Sequence, residues 1–443
     1  MSKKYSGWGL YPKIKATKIT QNSTEQLFNN LNKINKSNLS TIPRGLGRSY
    51  GDSSLSNNII DTTNLNQFTS FDPNTGILSC MAGTSLDDIL KYLVPKGWFI
   101  PVTPGTKYVT IGGAIASDVH GKNHHIHGSF SEFILNLKLL TAAGEIISCS
   151  KQENPEIFYA TCGGMGLTGI ILEATIQLTP IKSSYIKQTV IKTETLDELI
   201  NKLDEYNSTT YSVAWIDCLN IKKQSNYLKG LLLLGEEFPD DSNLKDIHKP
   251  SKITIPFSLP FTFINKYSMK FYNSLHYMKS TKGSLETKLH YDQFFYPLDN
   301  IQNWNYLYGS KGFLQYQFVI PKNKESSINL QNIFYFIKEN NIYPFLVVLK
   351  KFGKANDNYL SFPEEGYTVT FDFKVDNKIF SVLDILDKKV LEYGGKIYLT
   401  KDARMKKEVF QNSYKNIDKF LAVKNKLDPN CIFKSEQYKR LFD

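Results

Sequence analysis

No stretch of 18 consecutive apolar residues occurs in this 443-residue chain, which excludes a membrane-spanning helix. The first residues, Met1-Ser-Lys-Lys-Tyr-Ser-Gly-Trp-Gly9, lack the apolar core of a secretory signal. Cysteine is scarce: five residues stand at 80, 149, 162, 218 and 431, with no Cys-x-x-Cys pair. An odd, dispersed set argues against a disulfide framework and against a zinc site, and no metal is expected. The expectation is a cytoplasmic protein with reduced, packed thiols. Lysine and arginine total 53 against 42 acidic residues, a net charge of +11, without a block of like charges. That scatter argues against a nucleic-acid partner. It leaves plain solubility, or attraction to anionic substrates or an anionic membrane face.

Hydrophobic residues make up 41% and aromatics 13% of the chain, enough for a large core in two or three structural units. Glycine is concentrated where it matters. The stretch from Pro101 to Asn123 carries Gly105, Gly112, Gly113 and Gly121 among small residues around His120. An earlier stretch reads Pro43-Arg-Gly-Leu-Gly-Arg-Ser-Tyr-Gly-Asp52. Small residues let backbone approach a ligand closely, and their N–H groups can face phosphate or ring atoms. Either loop alone reads as an ordinary tight turn. Together they point to one extended dinucleotide held from two sides.

Residues 1–183 alternate short apolar strands with glycine turns and a few helices. Thr24 to Leu31 reads as a helix, Ile77 to Ala82 as a strand, and Ser85 as the cap of a second helix. Phe133 to Thr141 and Glu145 to Ser150 read as a hairpin, and Ile170 to Leu178 as a strand. From 184 to 395 glycine thins. Strands at Leu231 to Leu234, Gln315 to Ile320 and Thr368 to Phe373 are separated by helices at Leu196 to Glu205 and Ser326 to Glu339. That pattern predicts an antiparallel sheet with helices, an α+β unit. Residues 396–443 return to the first pattern, with a strand from Lys396 to Thr400, then Lys401-Asp402, then one helix to about Lys426. Between Pro250 and Lys282 lies an odd segment, the run Ile253 to Ile264 followed by a basic, tyrosine-containing tail, and its prolines deny the segment a regular helix or a central strand. This run reads as a packed irregular loop. The other reading is an apolar flap carrying Phe257, Leu259, Phe261, Phe263 and Ile264, followed by Lys266, Lys270 and Lys279, that meets the site or lipid.

Several ordered strings carry a family resemblance. They are Arg44-Gly-Leu-Gly-Arg-Ser-Tyr-Gly-Asp52, Pro104-Gly-Thr106 with Gly112-Gly-Ala-Ile115, His120-Gly-Lys-Asn-His-His125 and Gly163-Gly-Met-Gly-Leu-Thr-Gly-Ile170. Further along come Tyr211-Ser-Val-Ala-Trp-Ile-Asp217, Tyr296-Pro-Leu-Asp299, Gly312-Phe-Leu-Gln-Tyr-Gln-Phe-Val-Ile-Pro321 and Tyr398-Leu-Thr-Lys-Asp-Ala-Arg404. In these the chain resembles the FAD-binding oxidoreductases of the vanillyl-alcohol oxidase / p-cresol methylhydroxylase superfamily, and within it the decaprenylphosphoryl-β-D-ribose 2'-oxidase family. The resemblance implies a two-domain α+β fold. Residues 1–183 and the returning segment 396–443 form the FAD-binding domain, and 184–395 form an antiparallel-sheet cap that binds substrate. It implies that FAD is wrapped by Arg44, Gly45, Leu46, Gly47, Arg48, Ser49, Tyr50, Gly51 and Asp52, and by Thr110, Ile111, Gly112 and Gly113. Gly105, Ser117, Asp118, Val119, His120, Ile171 and Tyr398 match positions near the flavin or ribityl chain. Many relatives tether the flavin to a histidine in the first loop. This chain has Gly47-Arg48-Ser49 there and no cysteine in the second loop, so non-covalent FAD is expected. His120 is the remaining tether candidate, although the resemblance implies that it carries no flavin bond; it is also a candidate catalytic residue, with a structural histidine as its other reading.

Oxidising a secondary alcohol removes a hydride and a hydroxyl proton, and a cation near the developing charge stabilises the transition state more than the ground state. Lys401 matches the family's essential lysine in its Tyr-x-x-Lys-Asp string. Tyr296 is a candidate relay for the proton, and equally a core tyrosine. Lys122, Trp215, Gln315, Gln317 and Lys350 match substrate-pocket positions; amides suit ribose hydroxyls and lysines a phosphodiester. Where the family has an Asn-x-Cys pair, this chain has Thr368 and Thr370, so reagents that attack that cysteine lack a target. The implied activity is FAD-dependent oxidation of the 2'-hydroxyl of a polyprenyl-phosphoryl pentose, ribose-like, to a keto sugar. A short-chain NAD(P)H-dependent reductase would complete an epimerisation serving cell-envelope arabinan synthesis. Peripheral membrane contact through 250–282 belongs to the same expectation. The alternatives are a soluble aldonolactone or alditol oxidase, and a basic binding protein that keeps the fold without the chemistry.

Overall fold

A computed structural model describes residues 2–222, 227–239, 244, 253–258, 262, 265–279 and 285–443. Local signals set the N-terminal elements. Ser23 caps the helix Thr24–Lys36 by accepting the Gln26 N–H, and Leu27, Leu31 and Ile34 line its buried face. Ile34 continues that stripe, which is why the helix runs past Leu31. Its apolar face packs on Ile60, Leu140, Ile170 and Phe433. Beside it lies a four-stranded sheet in the order Lys3–Ser6, Lys13–Thr20, Asn58–Asp61, Thr41–Arg44. A five-stranded antiparallel sheet follows, in the order Phe68–Asp72, Ile77–Met81, Ile170–Gln177, Ile134–Leu140, Ile146–Cys149. The hairpin across residues 141–145 forms as expected, and Ser85 caps the helix Leu86–Leu93.

The second half is built on an eight-stranded antiparallel sheet. Its strands run in the order Leu285–His290, Tyr185–Thr195, Tyr227–Glu237, Tyr211–Lys222, Val347–Phe352, Gly366–Lys374, Phe313–Pro321, Lys396–Ile397. The helices Leu196–Glu205 and Ser326–Glu339 bury their apolar sides against it. The whole is a family of elements mixing helix with antiparallel sheet. Among the described residues no helix is long and apolar enough to cross a membrane.

Three expectations are corrected. The strand starting at Lys396 ends at Ile397 and is an edge of the large sheet, because the Lys401 and Asp402 N–H groups turn back to the Tyr398 carbonyl. The single helix expected after Asp402 is two, Lys407–Ser413 and Ile417–Leu427, broken where extended Tyr414 points its hydroxyl at the Ile397 carbonyl, 2.7 Å away. The tail after the proline-containing run is a helix, Lys266–Lys279, capped by the Asn265 side chain, since the prolines all precede it. Phe257 is exposed; Leu259, Phe261, Phe263 and Ile264 lie outside the described residues, as does the side chain of Lys279.

Candidate active site

The first glycine loop leaves the strand Thr41–Arg44. The Arg44 guanidinium folds back to the Ser6 carbonyl at 2.8 Å, and a Cβ on Gly47, whose φ is +65°, would stand 2.2 Å from that guanidinium. The left-handed backbone and this close approach favour glycine there. The N–H groups of Leu46, Gly47, Arg48 and Ser49 take no acceptor among the described residues, whereas that of Tyr50 donates to the Thr400 carbonyl. A run of unengaged N–H groups on a cavity wall is suited to phosphate. Arg48 adds positive charge there, its guanidinium 4.0 Å over the Trp8 ring.

The second loop contributes differently from expectation. Thr110 caps the short helix Ile111–Ala116, and the N–H groups of Ile111, Gly112 and Gly113 donate to Thr84, Ala82 and the Thr110 hydroxyl. These donors are engaged within the protein. What the loop offers is space: a Cβ on Gly105 would meet nothing within 4 Å, and one on Gly113 would meet only the Thr110 hydroxyl. Both glycines line a cavity of about 500 Å³. Such a cradle, beside free N–H groups, fits a flat cofactor with a pyrophosphate. Accordingly Gly105→Leu is expected to leave the melting temperature of the cofactor-free protein unchanged while weakening FAD binding at least about tenfold by steric overlap. Fluorescence titration of the stripped variant checks this, and wild-type affinity would remove Gly105 from the cradle.

The same cavity is lined by Arg44 to Tyr50, by Ser117, Val119, His120, Ile171 and Tyr398, and by Gln315, Gln317, Lys350, Thr370 and Lys401. The FAD-loop residues therefore share one space with the predicted substrate residues. Four loop residues serve it from behind. Ile111 is core. Gly51 abuts the Asp402 carbonyl, where a Cβ would stand at 1.8 Å. Asp52 pairs with Arg440 at 2.8 Å. Asp118, fully buried, accepts from Asn356, Asn358, Ser361 and the Ser131 N–H, which fixes the turn carrying Ser117 and Val119.

Cations and amides crowd one end. Lys401 Nζ lies 3.9 Å over the Tyr50 ring; burial pushes its pKa down to about 7, while Asp372 pulls the other way. Asp372 is buried, pushed up to about 6 by burial, and accepts from the Gln315 amide at 2.6 Å and the Tyr308 hydroxyl at 3.3 Å. His120 Nδ1 lies 2.9 Å from Lys350 Nζ and its Nε2 lies 3.0 Å from the Gln317 amide. Burial, then Lys350, holds His120 well below the usual imidazole range, so the ring is neutral at pH 7. Burial also brings Lys350 down to about 7, helped by Lys401 and Lys122. The Gln317 amide donates to the Thr368 hydroxyl at 3.1 Å, and Thr368 donates on to the Phe318 carbonyl. Thr368 thus positions Gln317 from behind, while Thr370 is on the wall itself.

Three predicted residues are not brought to the cavity. Tyr296 is buried with its hydroxyl 2.6 Å from that of Thr103. Trp215 stands edge-on to His276 at 4.9 Å. Lys122 donates to the Phe294 carbonyl with its ammonium over that residue's ring. Conversely Asp372 went unnoticed in the sequence. Gln315 and Gln317 alternate on one strand, and Thr368, Thr370 and Asp372 on the next, with Gln315 directly opposite Asp372. A polar stripe of period two in two otherwise buried strands was the available signal.

A family model described as an FAD binding domain matches residues 18–150, which hold both glycine loops. A decaprenylphosphoryl-beta-D-ribose oxidase from Mycolicibacterium smegmatis is 36% identical over 99% of this chain and 97% of its own length. The chain belongs to that oxidase family. Its cofactor is FAD, and it is an FAD-dependent oxidoreductase. Other relatives match only in part. A D-arabinono-1,4-lactone oxidase from Candida glabrata is 33% identical over 31% of this chain and 26% of its own length. An L-gulonolactone oxidase from Scyliorhinus torazame is 30% identical over 37% of this chain and 36% of its own length. The lactone-oxidase likeness thus leaves most of the chain uncovered, whereas the sugar-lipid oxidase likeness runs end to end.

Proposed function

We propose that this oxidase converts the 2'-hydroxyl of a polyprenyl-phosphoryl pentose, ribose-like, to a 2'-keto sugar. The observation that carries the reading is the cavity end where Lys401, Lys350, His120, Gln315 and Gln317 meet, in a chain aligned end to end with an oxidase of that name. The first loop and the Gly105 and Gly113 cradle hold the cofactor, within a domain made of residues 1–183 and 396–443; residues 184–395 form the substrate cap. FAD, when bound, accepts the hydride equivalent. Lys401 keeps a cation beside the reacting centre, where it answers charge that develops only in the transition state. The Gln315 and Gln317 amides orient sugar hydroxyls, and the buried Lys350 amine, beside His120 and brought down to about 7, is suited to take the hydroxyl proton. FAD is held non-covalently: no cysteine lines the cavity among the described residues, and both ring nitrogens of His120 are engaged.

The keto product requires a hydride donor to complete an epimerisation, which supports a short-chain NAD(P)H-dependent reductase as partner in cell-envelope arabinan synthesis. A lipid-borne substrate also supports peripheral membrane contact through 250–282. Ile253 is exposed and its strand pairs with Ile301–Gln302 on the cavity wall. The test is anaerobic bleaching of bound flavin by a panel of substrates. Polyprenyl-phosphoryl ribose is expected to bleach it, free sugars and aldonolactones not, and acid precipitation afterwards is expected to release the flavin into the supernatant. Bleaching by lactones alone would move the protein to the soluble sugar oxidases, and yellow precipitated protein would establish a tether.

A further inference from the structure

The helix Lys266–Lys279 is turned inside out. Its buried positions include a polar one, Asn273, which donates to Asp217 at 2.9 Å, alongside Met269. Its apolar residues face outward: Tyr267 is 82% exposed, Phe271 69% and Met278 65%. These stand four and eleven residues from the first, which places them on one narrow helical stripe, with Leu275 at its margin. A helix that needed only the protein's own core would bury that stripe. Lys266 and Lys270, both exposed, border it on one side, and the helix contains no acidic residue. An apolar aromatic stripe edged by lysines, without acids, is complementary to an anionic lipid surface.

The helix is also placed beside the substrate cavity. Tyr272 stacks at 6.4 Å on Phe345, whose neighbours Leu346 and Val348 line the cavity wall. We propose that the outward face of Lys266–Lys279 docks on an anionic bilayer surface and so brings the cavity mouth to a substrate whose lipid chain stays in the membrane. This rests on the sugar-lipid reading of the active site. The helix lies in the interface plane with its aromatic stripe among the acyl chains. Lys266 and Lys270 remain at headgroup level.

The experiment is flotation of the FAD-loaded protein with vesicles of phosphatidylglycerol and phosphatidylcholine, and with phosphatidylcholine alone. The wild type is expected to float with the mixed vesicles and weakly with the neutral ones. The double variant Tyr267→Ser with Phe271→Ser is expected to lose at least about tenfold in partitioning, because two large apolar groups no longer insert. Lys266→Gln with Lys270→Gln is expected to erase the preference for anionic vesicles, roughly fivefold per lysine. Flavin absorbance and bleaching by a short-chain, water-soluble substrate analogue are expected to stay at wild-type values in both variants. Flotation that is absent in the wild type, or unchanged by the serine pair, overturns the proposal. So does a serine pair that splits a dimer in sedimentation velocity without changing flotation, since the face then binds a second copy. Failure of the short-chain analogue to bleach the wild type would defeat the substrate reading while leaving the flotation result as measured.

Discussion

Replacing Lys401 by Ala is expected to leave FAD bound and to slow flavin reduction by roughly 10²–10³, the usual loss when one preorganised charge at a reacting centre is removed. Lys401 lines the cavity with its ammonium over the Tyr50 ring, and the free N–H groups of Leu46 to Ser49 do not depend on it, so its removal is expected to touch the reaction more than cofactor retention. The pH dependence follows from its surroundings. Burial pushes Lys401 down to about 7, so its charged fraction falls as pH rises through that value, and the reduction rate falls with it. Lys401→Arg keeps the charge at every working pH and is expected to lose that alkaline limb. The same residue works against stability. The folded state holds this proton less tightly than the unfolded chain, so the destabilisation is full below about pH 7 and fades as pH climbs toward the ordinary lysine range. Lys401→Met is therefore expected to melt higher than wild type at neutral pH while reducing flavin slowly. Single-turnover stopped-flow and a melting curve on the same samples check both; near-normal reduction in Lys401→Ala would take the residue out of the chemistry.

The shape of the first glycine loop was legible because it acts through local sequence, whereas Lys401 was legible only through its match to the family's Tyr-x-x-Lys-Asp string. Gly47 needs its positive φ and Gly105 its empty flank whatever the rest of the chain does. Helices with capping residues and a continuous apolar stripe were equally legible, as at Leu196–Glu205, where Thr195 caps and four apolar residues are buried. What escaped depends on pairing between distant segments. Asp372 matters because the register sets it opposite Gln315, 57 residues away in sequence. Trp215 and Lys122 were candidates by type, but Trp215 packs on His276 and Lys122 is captured by the Phe294 carbonyl. The helix Lys266–Lys279 escaped because Pro250, Pro256 and Pro260 argue against a helix for the whole segment, although all three lie before Lys266. The break at Tyr414 escaped because it is imposed by the Ile397 carbonyl rather than by a proline or glycine.

Arg440→Ala is expected to cost about 3 kcal/mol of stability and to weaken FAD binding although Arg440 is not on the cavity wall. Its guanidinium reaches Asp52 at 2.8 Å and Asp402 at 2.9 Å, both carboxylates buried. It thereby ties the end of the first glycine loop to the turn that carries Lys401. Removing it leaves two charges in a dry place without their counter-charge. The pH dependence has a definite sign. Burial already holds the Asp52 carboxyl up at about 6 in spite of Arg440. The folded state therefore binds this proton more tightly than the unfolded chain, and the penalty for the ionised form is full above about pH 6 and relieved as pH falls toward the ordinary carboxylate range. Without Arg440 the carboxyl moves higher still. The gap in melting temperature between variant and wild type is therefore expected to be widest at neutral pH and to narrow below pH 6. Adding Asp52→Asn to Arg440→Ala is expected to restore part of the stability, since the uncompensated charge is gone, but less of the FAD affinity, since the tie between loop and turn is still missing. Melting curves across pH, with FAD titration of each stripped variant, check the sequence of effects. A variant that melts and binds FAD like the wild type at neutral pH would show that the first loop is held by its own packing and not by this ion pair.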